Sequence, residues 1–299
     1  MRKIRHLLEY VASRFGLFLL DRASLSSVEK LAVKLADAFY FLNRARRNIA
    51  RQNIIRSGIT ADPQEADRIA RESFRHFGIL VVESLKSSEV LTEQNWSEHV
   101  ELDIDPETMK IIDEPGRGVI LVSGHFGNWE IATQIVSYLK PVTGITRDMN
   151  NPYTDQLMKE RKPRNRFTIT PKHGVGIDRL PAVLKNGQVL ALMIDQHARE
   201  RGALIDFFGI PASTHTSPAM LHLVTKAPIC FGYCFRTGPM KFKFKAISPI
   251  IFKPTGNREN DVKTILELLT RELEKAIRAN PEQYLWAHRR WKVRNPEQA

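Results

Sequence analysis

The sequence predicts an α/β protein: a mixed central sheet flanked by helices, with a helical portion ahead of it. Two patterns carry this reading. Up to about residue 95 the chain runs in long polar–apolar stretches of helical period, with few β-type runs. From Val119 onward, short apolar runs alternate with helical patterns, as they do when helices cover the faces of a sheet. With 299 residues, of which 42% are hydrophobic, the chain can bury a substantial core. Residues 1–99 are expected to form the helical portion and residues 100–299 the α/β core, as one continuous domain.

Taken in order, the first forty residues join Arg2, Lys3, Arg5 and Arg14 to Leu7, Leu8, Phe15, Leu17 and Phe18. This is an amphipathic basic helix of the kind that lies in a membrane interface; the competing reading packs its apolar face on the domain. Its best apolar run, Phe15 to Leu20, is bounded by Arg14 and Asp21, far short of the roughly 20 residues needed to span a bilayer, and no small-residue cleavage site follows. Helices are expected over Val28 to Leu42, Ala66 to Glu83 and Lys86 to Leu91. Asp62-Pro63-Gln64-Glu65 marks a helix start, with a capping carboxylate and Pro in the first turn. Strands are expected near 119–123, 142–146, 167–170, 189–194, 228–235 and 242–248. Between and after them, helices are expected near 129–139, 152–162, 178–185, 216–225 and 261–279. The tail after Arg294 is expected to fray.

The formal charge of +12 calls for an anionic partner: nucleic acid, acidic lipid headgroups or a phosphorylated substrate. Basic residues cluster at Arg44, Arg46, Arg47, Arg51 and Arg56, at Lys159, Arg161, Lys162, Arg164 and Arg166, and at Arg289, Arg290, Lys292 and Arg294. Nucleic acid fits poorly, because no recognisable DNA or RNA motif interleaves these residues and the 8% of aromatic residues form no stacking signature. The two cysteines, Cys230 and Cys234, lie four apart in an apolar run, on one face of a strand, and read as inert core. No further cysteine is present to complete a metal set, and no cofactor is implied.

The most informative segment is Gly118-Val119-Ile120-Leu121-Val122-Ser123-Gly124-His125-Phe126-Gly127-Asn128-Trp129-Glu130, a buried strand running through a glycine-flanked loop into a helix. On one continuous helix His125 and Glu130 would lie about 140° apart and could not meet. They can meet only if His125 is in the loop and Glu130 is in the first helical turn. Gly124 and Gly127 permit such a loop, and Asn128 as N-cap puts Glu130 at the second helical position. Nine histidines and 33 acidic residues give about one such spacing by chance, and the chain has two, the second being His173/Asp178. Context separates them: His173 sits in a glycine-rich stretch, where it reads as a loop residue. A histidine held by a carboxylate at the carboxyl end of a strand suits a general base. No Gly-x-Ser-x-Gly elbow is present to supply a serine nucleophile beside this histidine.

Ser-Gly-His-Phe-Gly-Asn-Trp-Glu at 123–130 resembles the signature of the bacterial lipid A late acyltransferases, the lauroyl and myristoyl transferases of lipopolysaccharide assembly. These belong to the wider glycerolipid acyltransferase group with its His-x4-Asp/Glu motif. The resemblance runs from about Arg117 to Lys292, through Leu184–Leu190 leading into Ile194-Asp195-Gln196, then Phe207-Phe208-Gly209, Thr216–Ala219 and Tyr284–Lys292. It implies His125 as base with Glu130 as its partner, Arg147 as a ligand for phosphate or the oxyanion, and Asp195 and Gln196 lining the site. It further implies an acyl carrier protein as donor, a lipid A precursor or related glycolipid as acceptor, and work at the anionic cytoplasmic face of an inner membrane. A phospholipid or other membrane glycolipid is the alternative acceptor.

Overall fold

The computed structural model describes residues 2–146, 148–161, 167–171 and 179–292. The N-terminal part is helical, as expected: α1 (Arg2–Arg22), α2 (Leu25–Leu42), α3 (Arg44–Arg56) and α4 (Pro63–Val90). Each break has a local cause. Ser24 caps α2 by accepting from Ser27 N, Asn43 caps α3 by accepting from Arg46 N, and Asp62 caps α4 by accepting from Gln64 N and Glu65 N, with Pro63 in the first turn. The expected break between Glu83 and Lys86 does not occur, and α4 runs on through both segments. It packs on α2 at Gly78, where a Cβ would stand 3.0 Å from Ala32 O.

The α/β part contains a seven-stranded sheet of β1 (Val100–Ile104), β2 (Val119–Ser123), β3 (Val142–Thr146), β4 (Phe167–Pro171), β5 (Val189–Met193), β8 (Ile229–Gly238) and β9 (Lys241–Ala246), in the order β1-β9-β8-β2-β5-β3-β4. Every pairing is parallel except β8 with β9, so the sheet is mixed. The helices α5 (Pro106–Asp113), α6 (Trp129–Leu139), α7 (Pro152–Arg161), α8 (Leu180–Lys185), α9 (Ser217–Thr225) and α10 (Arg258–Ala279) connect and flank the strands. β6 (Ala203–Phe207) and β7 (Ile210–Thr214) form a separate hairpin. It turns through Phe208 and Gly209, both at positive φ, as a tight hairpin turn requires.

The sequence reading did not include β1, β6, β7, α3 and α5. In β1, Val100, Leu102 and Ile104 alternate with Glu101 and Asp103, residues poor in β propensity. The strand is held from outside its own sequence, by Lys243 on Glu101 (2.7 Å) and Lys245 on Asp103 (3.5 Å) from β9.

All five residues of β2 are buried. By strand alternation, Ile120 and Val122 join the larger apolar cluster, with Tyr40 and Ile54 from the N-terminal helices and Leu266 and Leu273 from α10. Val119 and Leu121 join the opposite cluster, with Ile131, Ile135, Cys230, Cys234 and Phe244. Burying each of the large side chains contributes about 1.5–3 kcal/mol. By contrast, the apolar stripe of α1 faces outward: Ile4, Leu7, Leu8, Val11, Phe15, Phe18 and Leu19 are all exposed, as are Leu31, Leu35, Phe39 and Leu42 of α2. α1 rests on α7 through its other side, where Asn151 Nδ2 donates to His6 O (2.8 Å) and Tyr10 meets Tyr153. Among the described residues, no helix is long and apolar enough to cross a membrane.

The turn out of β2 passes through Gly127 at φ +61°, where a Cβ would lie 2.1 Å from Cys234 O; Gly58 has φ +65° and nothing within 4 Å. Gly58→Ala is expected to cost only the left-handed backbone term, about 1–2 kcal/mol. Gly127→Ala should cost clearly more, because β8 must also retreat. Urea unfolding of the two variants checks this, and equal losses would show that the close approach to β8 does not matter.

Candidate active site

Strand register assembles the site. β2 and β5 pair in parallel with Ser123 opposite Met193, and Ile194 N donates to Ser123 O (3.1 Å) to extend that pairing by a step. Two residues beyond these strand ends come His125 and Asp195, side by side at the carboxyl edge of the sheet. The Asp195 carboxylate takes both donors that His125 offers: the backbone N–H on Oδ2 (2.9 Å) and ring Nδ1 on Oδ1 (2.8 Å). A carboxylate only accepts, so Nδ1 carries the proton and Nε2 presents its lone pair. The Gln196 amide Nε2 stands 3.3 Å from that lone pair. The edge of Trp129 packs against the imidazole, with ring centroids 5.0 Å apart.

A strap from the C-terminal end closes the site from one side. Leu285 N donates to His125 O (3.1 Å), Gly127 N donates to Gln283 O (2.9 Å), and Phe126 forms an antiparallel bridge with Tyr284. The N-terminal helices hold this strap in turn. Ser73 Oγ donates to Tyr284 O (2.6 Å), Asn53 Nδ2 to Trp286 O and His288 O (both 2.8 Å), and Arg46 Nη1 to Ala287 O (2.9 Å).

The electrostatics follow from burial. Asp195 is almost fully enclosed, which alone would raise its pKa; the neighbouring His125, with a smaller contribution from Arg290, outweighs this and holds the carboxyl below its usual value. His125 shows the converse. Burial lowers its pKa, but the Asp195 charge and hydrogen bond overcome this, and the imidazole stays above its ordinary value. The Tyr284 phenol is pushed far up by burial and then by the facing Asp195 carboxylate, so it stays neutral. Buried Arg290 is fixed by Ser213 O (2.5 Å) and Thr214 Oγ1 (2.6 Å). His288 accepts from His197 N at Nε2 (3.1 Å), and burial lowers its pKa.

Of the residues expected at the site, the structure brings His125, Asp195 and Gln196 together. The imidazole hydrogen bond that the local spacing assigned to Glu130 belongs to Asp195. The physical reason is register: residues 125 and 195 are delivered to adjacent positions by paired strands, whereas Glu130 lies beyond the Asn128 cap, half-buried at the second position of α6. Arg147, and the second spacing His173/Asp178, lie outside the described residues. Asn128 is the expected cap, its Oδ1 accepting from Ile131 N (3.1 Å). Cys230 and Cys234 are buried core, and burial pushes the Cys230 thiol up to about 11 and Cys234 higher still, which removes both as thiolate nucleophiles. Tyr284, His288 and Arg290 were legible only as part of a terminal aromatic and basic block, with no spacing to tie them to Asp195. Among the described residues, no three or more His, Cys, Asp or Glu side chains gather as a metal site.

A base nitrogen whose partner carboxylate is buried and ionised suits removal of a proton from a hydroxyl. Comparison with known proteins places the chain among acyltransferases. The family described as bacterial lipid A biosynthesis acyltransferase matches residues 1–293. The chain is similar to the lipid A biosynthesis palmitoleoyltransferase of Escherichia coli K12, 26% identical over 265 residues that cover 85% of this chain and 81% of that one. It is similar to the lauroyltransferase of the same organism at 27% identity, over 64% of this chain and 61% of that one. A phosphatidylinositol mannoside acyltransferase of Mycobacterium tuberculosis is 24% identical, over 59% of this chain and 55% of its own.

The His125–Asp195 pair has a direct spectroscopic signature. Because the folded state favours the imidazolium, the His125 Cε1–H resonance should titrate with a midpoint above the ordinary histidine value of about 6.5, and Asp195→Asn should lower that midpoint. By linkage, the stability His125 contributes is complete below about pH 6.5 and is lost as pH rises through the folded midpoint; that of Asp195 is present above about pH 3.9 and is lost as pH falls through its lowered midpoint. A His125 midpoint unchanged by Asp195→Asn would show that this carboxylate does not set its basicity.

Proposed function

The chain belongs to the bacterial lipid A biosynthesis acyltransferase family and is an acyltransferase, and from that premise we propose that it moves a fatty acyl chain from an acyl-carrier-protein thioester to a hydroxyl of a lipid A precursor or related glycolipid. The observation that carries the mechanism is the Asp195–His125 pair, with Nδ1 held at 2.8 Å and Nε2 left as the basic nitrogen. In the proposed step the acceptor hydroxyl replaces the Gln196 amide at Nε2. Its proton passes to Nε2 while its oxygen attacks the thioester carbonyl. The tetrahedral adduct collapses by breaking the C–S bond, and the imidazolium protonates the departing thiolate, leaving an ester and a free thiol. Asp195 stabilises the imidazolium formed on the way. Gln196 and Arg147 serve as substrate ligands in this scheme, Arg147 by the family resemblance. Glu130, in the first turn of the helix leaving the loop, keeps a catalytic role in this scheme only by the family resemblance, since Asp195 takes the His125 Nδ1 hydrogen bond.

Charge supports an anionic donor or acceptor. Arg46 of α3 reaches Ala287 O, two residues before Arg289. The likeness to the mycobacterial enzyme favours, as a second reading, a membrane glycolipid outside lipopolysaccharide as acceptor. The exposed apolar stripe of α1, flanked by basic residues, supports an interfacial position on a membrane surface, which by the family resemblance is the cytoplasmic face of the inner membrane.

His125→Ala and Asp195→Asn are expected to lower transfer by about 10²–10⁴-fold in folded protein. Glu130→Gln should also lower it while leaving the pH midpoint of His125 in place. Turnover is measured with acylated carrier protein and lipid acceptor, and mass spectrometry of lipids from cells lacking the protein identifies the acceptor. Near-normal turnover of folded His125→Ala would remove the proposal.

Membrane binding should have two parts. Basic residues near anionic lipid contribute about 1 kcal/mol each and are screened by salt; the apolar stripe is insensitive to salt. High salt should therefore release the protein from anionic vesicles only partly, and replacing Leu8, Phe15 and Leu19 by Ser should make release complete. Complete release of the unaltered protein by salt would count against the interfacial helix.

A further inference from the structure

We propose that His76 and Glu83, two buried polar residues of α4, are positioning residues that hold the catalytic loop from behind, and that the charge cluster Glu29–Arg236–Glu83 is the anchor of that support. Glu83 is wholly enclosed. Its Oε1 accepts from Arg236 Nε (2.8 Å) and Met240 N (3.1 Å), while Oε2 accepts from Asn128 Nδ2 (3.4 Å). Arg236 also donates through Nη2 to Glu29 Oε1 (3.1 Å). Two turns earlier on α4 and on the same side, His76 Nε2 lies 3.1 Å from Gly127 O. A carbonyl only accepts, so Nε2 carries the hydrogen; burial pushes this imidazole down to about 4, so it donates as a neutral group.

The loop is thereby held at Gly127 and Asn128, two and three residues from His125, by α4 and β8, and Glu29 of α2 reaches it only through Arg236. Asn128 is fixed at every polar atom: Oδ1 on Ile131 N and Ser84 Oγ, Nδ2 on Glu83, and the backbone N–H on Cys234 O. Stability alone is a weak reason to bury such a cluster, since well-packed apolar residues commonly do as well. Geometry is a better reason, because a base displaced by a fraction of an ångström loses turnover before it loses fold. The same two helices supply a matched contrast. Asp37 of α2 accepts from Arg71 (both contacts 2.9 Å) and Arg75 (both 2.7 Å) of α4, an ion cluster of the same kind whose bonds do not reach the loop.

The inference rests on His125 being the base. Its test therefore reads the His125 resonance as well as turnover, so that the two ideas fail separately. In the full-length protein, Glu83→Gln and His76→Phe should lower kcat by about 10-fold or more with KM within about twofold, and should draw the His125 midpoint back towards the ordinary value of about 6.5. His76→Gln, which keeps a donor, should recover most of the loss. Asp37→Asn should lower the urea midpoint while leaving kcat and the His125 midpoint unchanged. Should Glu83→Gln not fold, Glu29→Gln and the His76 pair carry the same readouts. An unshifted His125 midpoint in these variants, or kcat losses that follow stability equally in Asp37→Asn, would overturn the assignment.

Discussion

The parallel pairing of β2 with β5 brings His125 and Asp195 to one edge of the sheet. Val119 stands opposite Val189 and Ser123 opposite Met193, so the chain leaves both strands at the same level. A slip of one residue would turn Ile120 and Val122 to the wrong face of the sheet and send His125 away from Asp195. The apolar clusters on the two faces therefore enforce the register that the chemistry uses. Core packing and site geometry are one requirement here.

A buried carboxylate at that edge has to be compensated, and its surroundings are organised accordingly. Asp195 receives two hydrogen bonds from His125, faces the Tyr284 phenol and feels the Arg290 charge. Those last two groups arrive on the terminal strap, whose backbone is tied by Ser73, Asn53 and Arg46 of the N-terminal helices. The helical portion is thus part of how the site is built, and Tyr40 and Ile54 share one apolar cluster with β2. α1 and α2 keep a second set of apolar side chains on the outside.

Elements whose own residues specify them were legible. β2 is a run of apolar β-formers, α6 opens on a capping Asn128, and α4 opens on Asp62-Pro63. Elements held by their neighbours were not. β1 carries Glu101 and Asp103 and is secured by lysines about 140 residues away. Nothing in the residues of α4 reveals that the loop at 127–128 lies against His76 and Glu83.

The α/β class, the helical N-terminal portion, the amphipathic first helix, and a loop that delivers His125 at the end of a buried strand can all be read from the residues in order. These follow from periodicity, capping and glycine placement, which are local physics. Which carboxylate bonds that histidine follows from the folded arrangement alone. Glu130 was near in sequence, but Asp195, seventy residues on, is near in space, because hydrogen-bonded strands carry their ends to one edge whatever the length of chain between them. The spacing of residues along a chain fixes distance within a single element; between elements, register fixes it.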